Sequence, residues 1–366
     1  MGRAPAAAAE RASHTATVVP AHEEAMPRTL PTLPITPPAR PLPAPSARSR
    51  TSGTPQPRPD LPDRSERARP SRRCPHGRTP GRLLDTTIAG YRPLELLRRR
   101  GCQNVFRATA PDGTHVALKT TCHDADHDVL ARAHNEARGL RAAAAHPHVA
   151  DLAGEGVHRG LHYLAVTWQQ GPTLHHLLEH LDHSMAAWSP GSADVFTRLT
   201  LALCHALEGL HHHEVVHADL SPRNIVVGHG HTLTLIDLDS CAWHGTPTPD
   251  TLHRCATTVY AAPECLAPWP RPVPTAASDQ YSAAAILYRV VQQRHHLPDT
   301  GSRTRTRTHQ LTRSPRPLTG WPATTWPHLQ QTLHRALDPD PDARHPTTGD
   351  FTSHLRHALT LTGERP

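Results

Sequence analysis

Proline limits what the opening segment of this chain can fold into more than any other feature does. Its ring fixes φ and removes a backbone donor, so a stretch dense in it supports neither a helix interior nor a sheet ladder. Seventeen of the 39 prolines fall in residues 1–84, among them Pro31, Pro34, Pro37, Pro38 and Pro41. This segment is expected to be a disordered Pro/Arg-rich arm, with ordered structure beginning near Leu84 to Tyr91. Charge divides at the same place. The arm holds 14 of the 39 Lys+Arg and 6 of the 32 Asp+Glu, a net of +8 against +7 for the whole chain. The remainder, at −1, gives no electrostatic ground for a specific nucleic-acid partner. The longest apolar candidate, Ala283 to Val291, is interrupted by Arg289, so no membrane span is expected. Seven scattered cysteines without CxxC pairs, and an opening Met1-Gly2-Arg3 with no apolar run behind it, indicate neither a disulfide framework nor a secretory signal. A cytoplasmic protein fits.

Beyond the arm the periodicity changes. From Val105 a strand-like run leads through Pro111-Asp112-Gly113, a turn sequence, into the alternating Thr114 to Thr120, which predicts a β-hairpin. Asp128 to Ala145 is rich in Ala, Arg, Leu and Glu and stops at His146-Pro147, which predicts a helix. Leu161 to Thr167 reads as a buried strand, and Leu174, Leu177, Leu178 and Leu181 as the stripe of a short helix. Phe196, Leu199, Leu203, Leu207 and Leu210 predict a long amphipathic helix over Asp194 to Leu210. Ile225 to Val227 and Thr232 to Ile236 read as short strands, and everything from Ser278 onward as helix and loop. Strands first and helices later predict an α+β body of two lobes.

Lysine occurs once, at Lys119, against 38 arginines. A planar guanidinium cannot replace a compact ammonium between phosphates and a carboxylate, so a solitary lysine points to a site where the amine itself matters. It ends Val116-Ala117-Leu118-Lys119 on the second hairpin strand, and Glu136 follows on the next helix at a separation suited to an ion pair. Because Leu118 precedes it, the chain has no GxxxxGK[ST] phosphate loop. His217-Ala218-Asp219-Leu220, with Asn224, lies just after the long helix, and Asp237-Leu238-Asp239 begins 13 residues beyond Asn224.

Order and spacing of these three motifs resemble the protein kinase family, in its bacterial Hanks-type Ser/Thr branch. Ala261-Ala262-Pro263-Glu264, ending 27 residues after Asp237, resembles the end of that family's activation segment, with Arg344 standing where the partner of Glu264 is expected. His146-Pro147-His148-Val149 and Ser278-Asp279-Gln280-Tyr281 also match, so the resemblance covers about residues 86 to 360. It implies a β-rich small lobe over 85–170 and a helical large lobe over 171–361, with ATP and Mg²⁺ as cofactors. Lys119 would hold the α- and β-phosphates, steered by Glu136, while Asn224 and Asp237 would ligate the metal. Asp219 would orient the acceptor hydroxyl as catalytic base, with Arg223 a further catalytic-loop candidate. Gly101, Val105 and Ala117 would surround the nucleotide, and Thr167 and Gln169 would form the hinge facing adenine. The implied substrate is a protein Ser/Thr hydroxyl, autophosphorylation included, with Thr246, Thr248, Thr251, Thr257 and Thr258 as candidate acceptors.

Some positions depart from the family pattern. Aligning Val105 with the family's valine puts Arg98, Arg100 and Gln103 where three glycines are expected, leaving Gly101 nearby. That keeps open a binding-only pseudokinase, because glycine lets backbone amides approach phosphate. His217-Ala218-Asp219 and Asp237-Leu238-Asp239 keep open a small-molecule phosphotransferase. Ala218 replaces the arginine that receives a loop phosphate in many members, and Ser221 stands where Ser/Thr kinases usually have lysine. Asp239, in place of a glycine, reads as a third metal ligand or a stiff turn. The 32 histidines lack partnered cysteine spacing and read as compositional bias, not a zinc site.

Overall fold

Alternation along the strands builds the first lobe. The computed structural model describes residues 83–360 other than 101, 123, 124, 126, 181–189, 244–257 and 269. The expected arm apart from its last two residues, Gly101, and the candidate acceptors Thr246, Thr248, Thr251 and Thr257 lie outside the described residues, all of which belong to the unit spanning 67–366. Five antiparallel strands form one sheet in the order β1-β2-β3-β5-β4. They are β1 (Arg92–Arg100), β2 (Gln103–Thr109), β3 (His115–Cys122), β4 (Leu152–His158) and β5 (Leu161–Thr167).

Phe106, Ala108, Val116, Leu118 and Ala165 are almost wholly buried and pack with Ile88 and Tyr91 on one face of the sheet. The period of two then turns Val105, Ala117 and Lys119 to the opposite face. Register sets a row across that face: Arg98 lies opposite Val105, Val105 opposite Lys119, and Lys119 opposite Leu164. The β2–β3 hairpin closes as expected. Asp112 Oδ1 accepts from the Thr114 backbone N–H at 2.9 Å and from its hydroxyl at 2.7 Å, and Gly113 takes φ +87°.

Two strands of this sheet go beyond the sequence expectation. β1 is an edge strand with exposed charge and no clean alternation. β4 carries Gly154 and Gly156, which weaken a strand pattern. Gly154 is needed where it stands, since a Cβ there would sit 2.3 Å from the Tyr91 Oη. Tyr91 donates to the Ala153 carbonyl at 3.2 Å. The helix after the hairpin, α1 (His127–Ala142), stops three residues earlier than Ala145, which turns the chain at φ +62°.

The second lobe is helical. It comprises α2 (Leu174–His180), α3 (Pro190–His212), α4 (Ala276–Gln292), α5 (Arg303–Thr312), α6 (Trp321–Thr325), α7 (Leu329–Ala336) and α8 (Thr348–Ala358). Short strands β6 (Val215–Val216), β7 (Ile225–Val227), β8 (Leu233–Leu235) and β9 (Ala242–Trp243) pair as β6-β9 and β7-β8. Leu203, Leu207 and Leu210 of the α3 stripe are buried as expected and Leu199 partly so, with Phe196 stacked near Trp326. Helix α4 is buried on all sides from Ser278 to Tyr288, which is why its sequence shows no polar face. Glu264 and Arg344 meet as a bidentate pair at 2.8 and 2.9 Å, and Arg344 also donates to the carbonyls of Ala277 and Asp338. No described helix is long and apolar enough to cross a membrane. Cys102 is disulfide-bonded, a departure from the expected reduced chain, while Cys122, Cys204, Cys241 and Cys265 are free thiols.

Gly171 joins the two lobes at φ +126°, where an added Cβ would fall 2.1 Å from the Val227 carbonyl oxygen. Gly171→Ala combines an unfavourable φ with a backbone clash and is expected to cost about 3 kcal/mol, read as a lowered denaturant midpoint at unchanged m-value.

Candidate active site

Between the sheet and the second lobe lies a cavity of about 370 Å³. Val105, Ala117, Lys119, Glu136, Thr167, Gln169, Arg223, Asn224 and Asp237, nine of the expected site residues, all line it. They come from β2, β3, α1, the end of β5 and the loops flanking β7 and β8, so the fold gathers what the sequence spreads over 132 positions between Val105 and Asp237. Asp219 does not line the cavity; it is half-buried beside it.

Lys119 is the centre. Its Nζ donates to Glu136 Oε1 at 2.6 Å and Oε2 at 2.8 Å, and to Asp237 Oδ1 at 2.5 Å. Burial alone pulls the ammonium's pKa down, but the carboxylates of Asp237, Glu136 and Asp239 reverse this and hold it above the ordinary value. Burial also works against the charged form of Asp237, yet Lys119, aided by Arg98, keeps that carboxyl below the usual range. Glu136, 1% exposed, is pushed up to about 7 by burial, against the pull of Lys119 and with Asp237 and Asp239 adding to it. One ammonium therefore balances a crowd of acids, and its removal would leave them facing one another.

The loop carrying Asp219 is held from below. Ala218 and Asp237 both take left-handed backbone, at φ +63° and +67°, a conformation of about 1–3 kcal/mol cost for residues with a Cβ. The buried Asp279 at the start of α4 fixes the first of these, accepting from the backbone N–H of His217 at 2.8 Å and of Ala218 at 3.0 Å. His211 on α3 supports the same carboxylate through Nε2 at 2.9 Å. Asn224 Nδ2 donates to the Asp219 carbonyl at 2.9 Å, so the amide's donor end is engaged and its acceptor oxygen remains for the cavity.

Asn135 on α1 was not singled out by the sequence, yet it binds the chain that follows Asp237. Its Nδ2 donates to the carbonyls of Cys241 at 2.7 Å and Asp239 at 3.2 Å, and its Oδ1 accepts from Trp243 Nε1 at 3.3 Å. Arg138 stacks over the same indole at 3.7 Å. Gly139 allows this approach, since a Cβ there would lie 3.0 Å from Cys241 Sγ.

The departures from the family pattern take definite positions. Arg98 lines the cavity at the edge of the cross-strand row, and Gln103 lines a smaller cavity of about 130 Å³ together with His134 and Tyr163. Asp239 accepts from the Ser240 hydroxyl at 2.9 Å and has its pKa raised by burial and by Asp237. It does not line the larger cavity. Gln169 Nε2 donates to Thr167 Oγ1 at 3.0 Å.

Comparison with known proteins agrees with this geometry. Residues 101–357 match the family described as protein kinase domain. The chain is 28% identical over 193 residues to serine/threonine-protein kinase Pkn1 of Myxococcus xanthus, covering 50% of this chain and 27% of that protein. It is 29% identical over 134 residues to MAP kinase kinase kinase wis4 of Schizosaccharomyces pombe, covering 33% of this chain and 9% of that one. The chain thus spans about a quarter or less of the length of these two relatives. With its β-sheet lobe, its helical lobe and a family match over most of the described residues, this chain belongs to the protein kinase domain family.

Proposed function

We propose that the chain is an active protein kinase that transfers the γ-phosphoryl group of Mg-ATP to a Ser/Thr hydroxyl of a cytoplasmic protein, itself included. One observation carries this reading: the only lysine of the chain bridges Glu136 and Asp237, from separate elements, on the wall of one cavity. The residues suit the cofactor, since Asp237 and the Asn224 amide supply the oxygen donors a hard cation takes. Bound Mg-ATP supplies the transferable phosphoryl group and the cationic charge that offsets its oxygens. Lys119 would hold phosphate oxygens while Glu136 orients it. Val105 and Ala117 would offer an apolar ceiling for the base, and Thr167 and Gln169 a polar edge. Asp219, fixed through its carbonyl by Asn224, would orient the acceptor hydroxyl and take its proton, with Arg223 beside it. In this reading residues 85–170 and 171–361 are the two working lobes, and the arm takes no part in the chemistry.

Arg98 in the cavity wall favours a second reading, a noncatalytic pseudokinase scaffold. Incubating the full chain with γ-labelled ATP separates the two. Label on protein is expected, reduced about 10²–10⁴-fold by Asp219→Asn. No label, together with no Mg-dependent nucleotide protection in a melting assay, leaves only the scaffold.

A further inference from the structure

Strand β1 changes step against β2 where it reaches the cavity. Leu96 lies opposite Phe106 and Arg98 opposite Val105, so β1 carries one residue more than its partner there, Leu97. Such a bulge bends a strand and re-aims the side chains that follow it. Without the extra residue Arg98 would stand opposite Asn104, which is buried on the far face of the sheet with Phe106. With it, Leu97 and Arg98 both line the cavity beside Val105, in the row that continues to Lys119. Arg99, opposite Asn104, does not line it. Charges on an edge strand keep sheets from pairing with one another, which suffices to explain exposed Arg92 and Arg99. That role does not require a bulge that brings one arginine onto the cavity wall.

The cavity has a use for that cation. Its charged lining sets Arg98, Lys119 and Arg223 against Glu136 and Asp237. The Lys119 ammonium, with three protons to give, is already hydrogen-bonded to three oxygens of those two carboxylates. An incoming phosphate therefore finds the lysine engaged and two acids beside it. Arg98 is in the opposite condition. It is exposed, and among the described residues it forms neither a hydrogen bond nor an ion pair, although its charge reaches Asp237. A guanidinium carries five N–H donors in a planar fork that matches two oxygens of one phosphate. Arg98 also stands at the first of the three positions where glycines are expected, so this chain has a donor-rich side chain where backbone amides would otherwise make the approach.

We propose that Arg98 is a nucleotide-binding residue whose guanidinium holds phosphate oxygens of the bound nucleoside triphosphate, doing with a side chain what the missing glycines would do with backbone amides. This rests on the nucleotide-site part of the reading above. It makes Arg98 a reason for triphosphate binding and not an obstacle to it, whether or not turnover follows. The contact belongs to the phosphates and not to the base, so a nucleoside without phosphate should not sense it.

Calorimetric titration of the full chain with Mg-ATP, adenosine and inorganic tripolyphosphate tests this without turnover. Arg98→Gln is expected to weaken Mg-ATP and tripolyphosphate by about tenfold or more and to leave adenosine unchanged. Arg98→Lys, which keeps the charge and loses the fork, should lose less. Arg99→Gln removes the same charge from the neighbouring position and should leave Mg-ATP affinity within about twofold of the parent. Both arginines lie on an exposed edge, so a nucleotide-free melting temperature equal to the parent's shows that each variant is folded. Equal Mg-ATP affinity in the parent and Arg98→Gln, or an equal loss in Arg99→Gln, overturns the proposal; if labelled ATP still transfers its phosphoryl group to protein, the kinase reading stands without it. Arg98-dependent binding of tripolyphosphate with no affinity for Mg-ATP sinks the kinase reading and keeps Arg98 as a phosphate ligand. Binding of neither by the parent chain overturns both.

Discussion

Lys119→Arg is expected to leave the chain folded and to slow phosphoryl transfer by about 10²–10³-fold, the loss typical of removing one preorganised electrostatic donor. The reason is geometric. The ammonium reaches three carboxylate oxygens from two elements, at 2.6, 2.8 and 2.5 Å, from a side chain 14% exposed. A guanidinium is wider and planar; it can pair with Glu136 or with Asp237 in its fork but cannot place a single point of charge between them. Charge is conserved in the substitution, so the fold should tolerate it better than Lys119→Ala, which would strand Glu136 and Asp237 without a counter-ion. Single-turnover kinetics with labelled ATP, alongside far-UV circular dichroism, check both halves. Undiminished turnover would remove the significance attached to the solitary lysine.

Arg344→Leu should have the largest effect on stability. Arg344 has no exposed side-chain surface, and its guanidinium serves Glu264 twice, the carbonyls of Ala277 and Asp338, and the face of Tyr281 at 5.1 Å. Leucine fills much of the space but leaves Glu264, 12% exposed, with only the Ser278 hydroxyl. Removing one partner of such a pair costs about 3–5 kcal/mol. For a body of this size that corresponds to a Tm lower by roughly 10 °C, measurable by calorimetry. Glu264→Gln with Arg344→Leu should recover part of the loss, since the buried charge is then gone from both sides.

Much of this architecture can be read from residue order. The hairpin declared itself through Pro111-Asp112-Gly113, and the long helix through its leucine spacing. The strand Leu161–Thr167 has the same bounds in the structure as in the sequence expectation. Legibility failed where a residue's reason is tertiary. β4 contains glycines because Tyr91 and Tyr163 occupy the space their side chains would take. Asp279 is an ordinary acid near a helix start until His217 and Ala218 are brought against it by the turn after β6. Asn135 looks like a poor helix former in the middle of α1, and its purpose appears only when the chain after Asp237 packs alongside. An asparagine 9% exposed in such a helix is the kind of misfit that signals a specific partner. Arg98 was noticed for what it replaces; its direction into the cavity follows from pairing with Val105, which no local pattern contains.

The clasp between Asn135, the Cys241 carbonyl and the Trp243 indole bears on which small molecules can enter this cavity. Inhibitors that enter by levering α1 outward must break those hydrogen bonds and unstack Arg138 from the indole before Glu136 can leave Lys119. Compounds shaped to the assembled pocket meet no such barrier. Screening should therefore favour scaffolds that fit the cavity as it stands over those that demand an outward-swung helix.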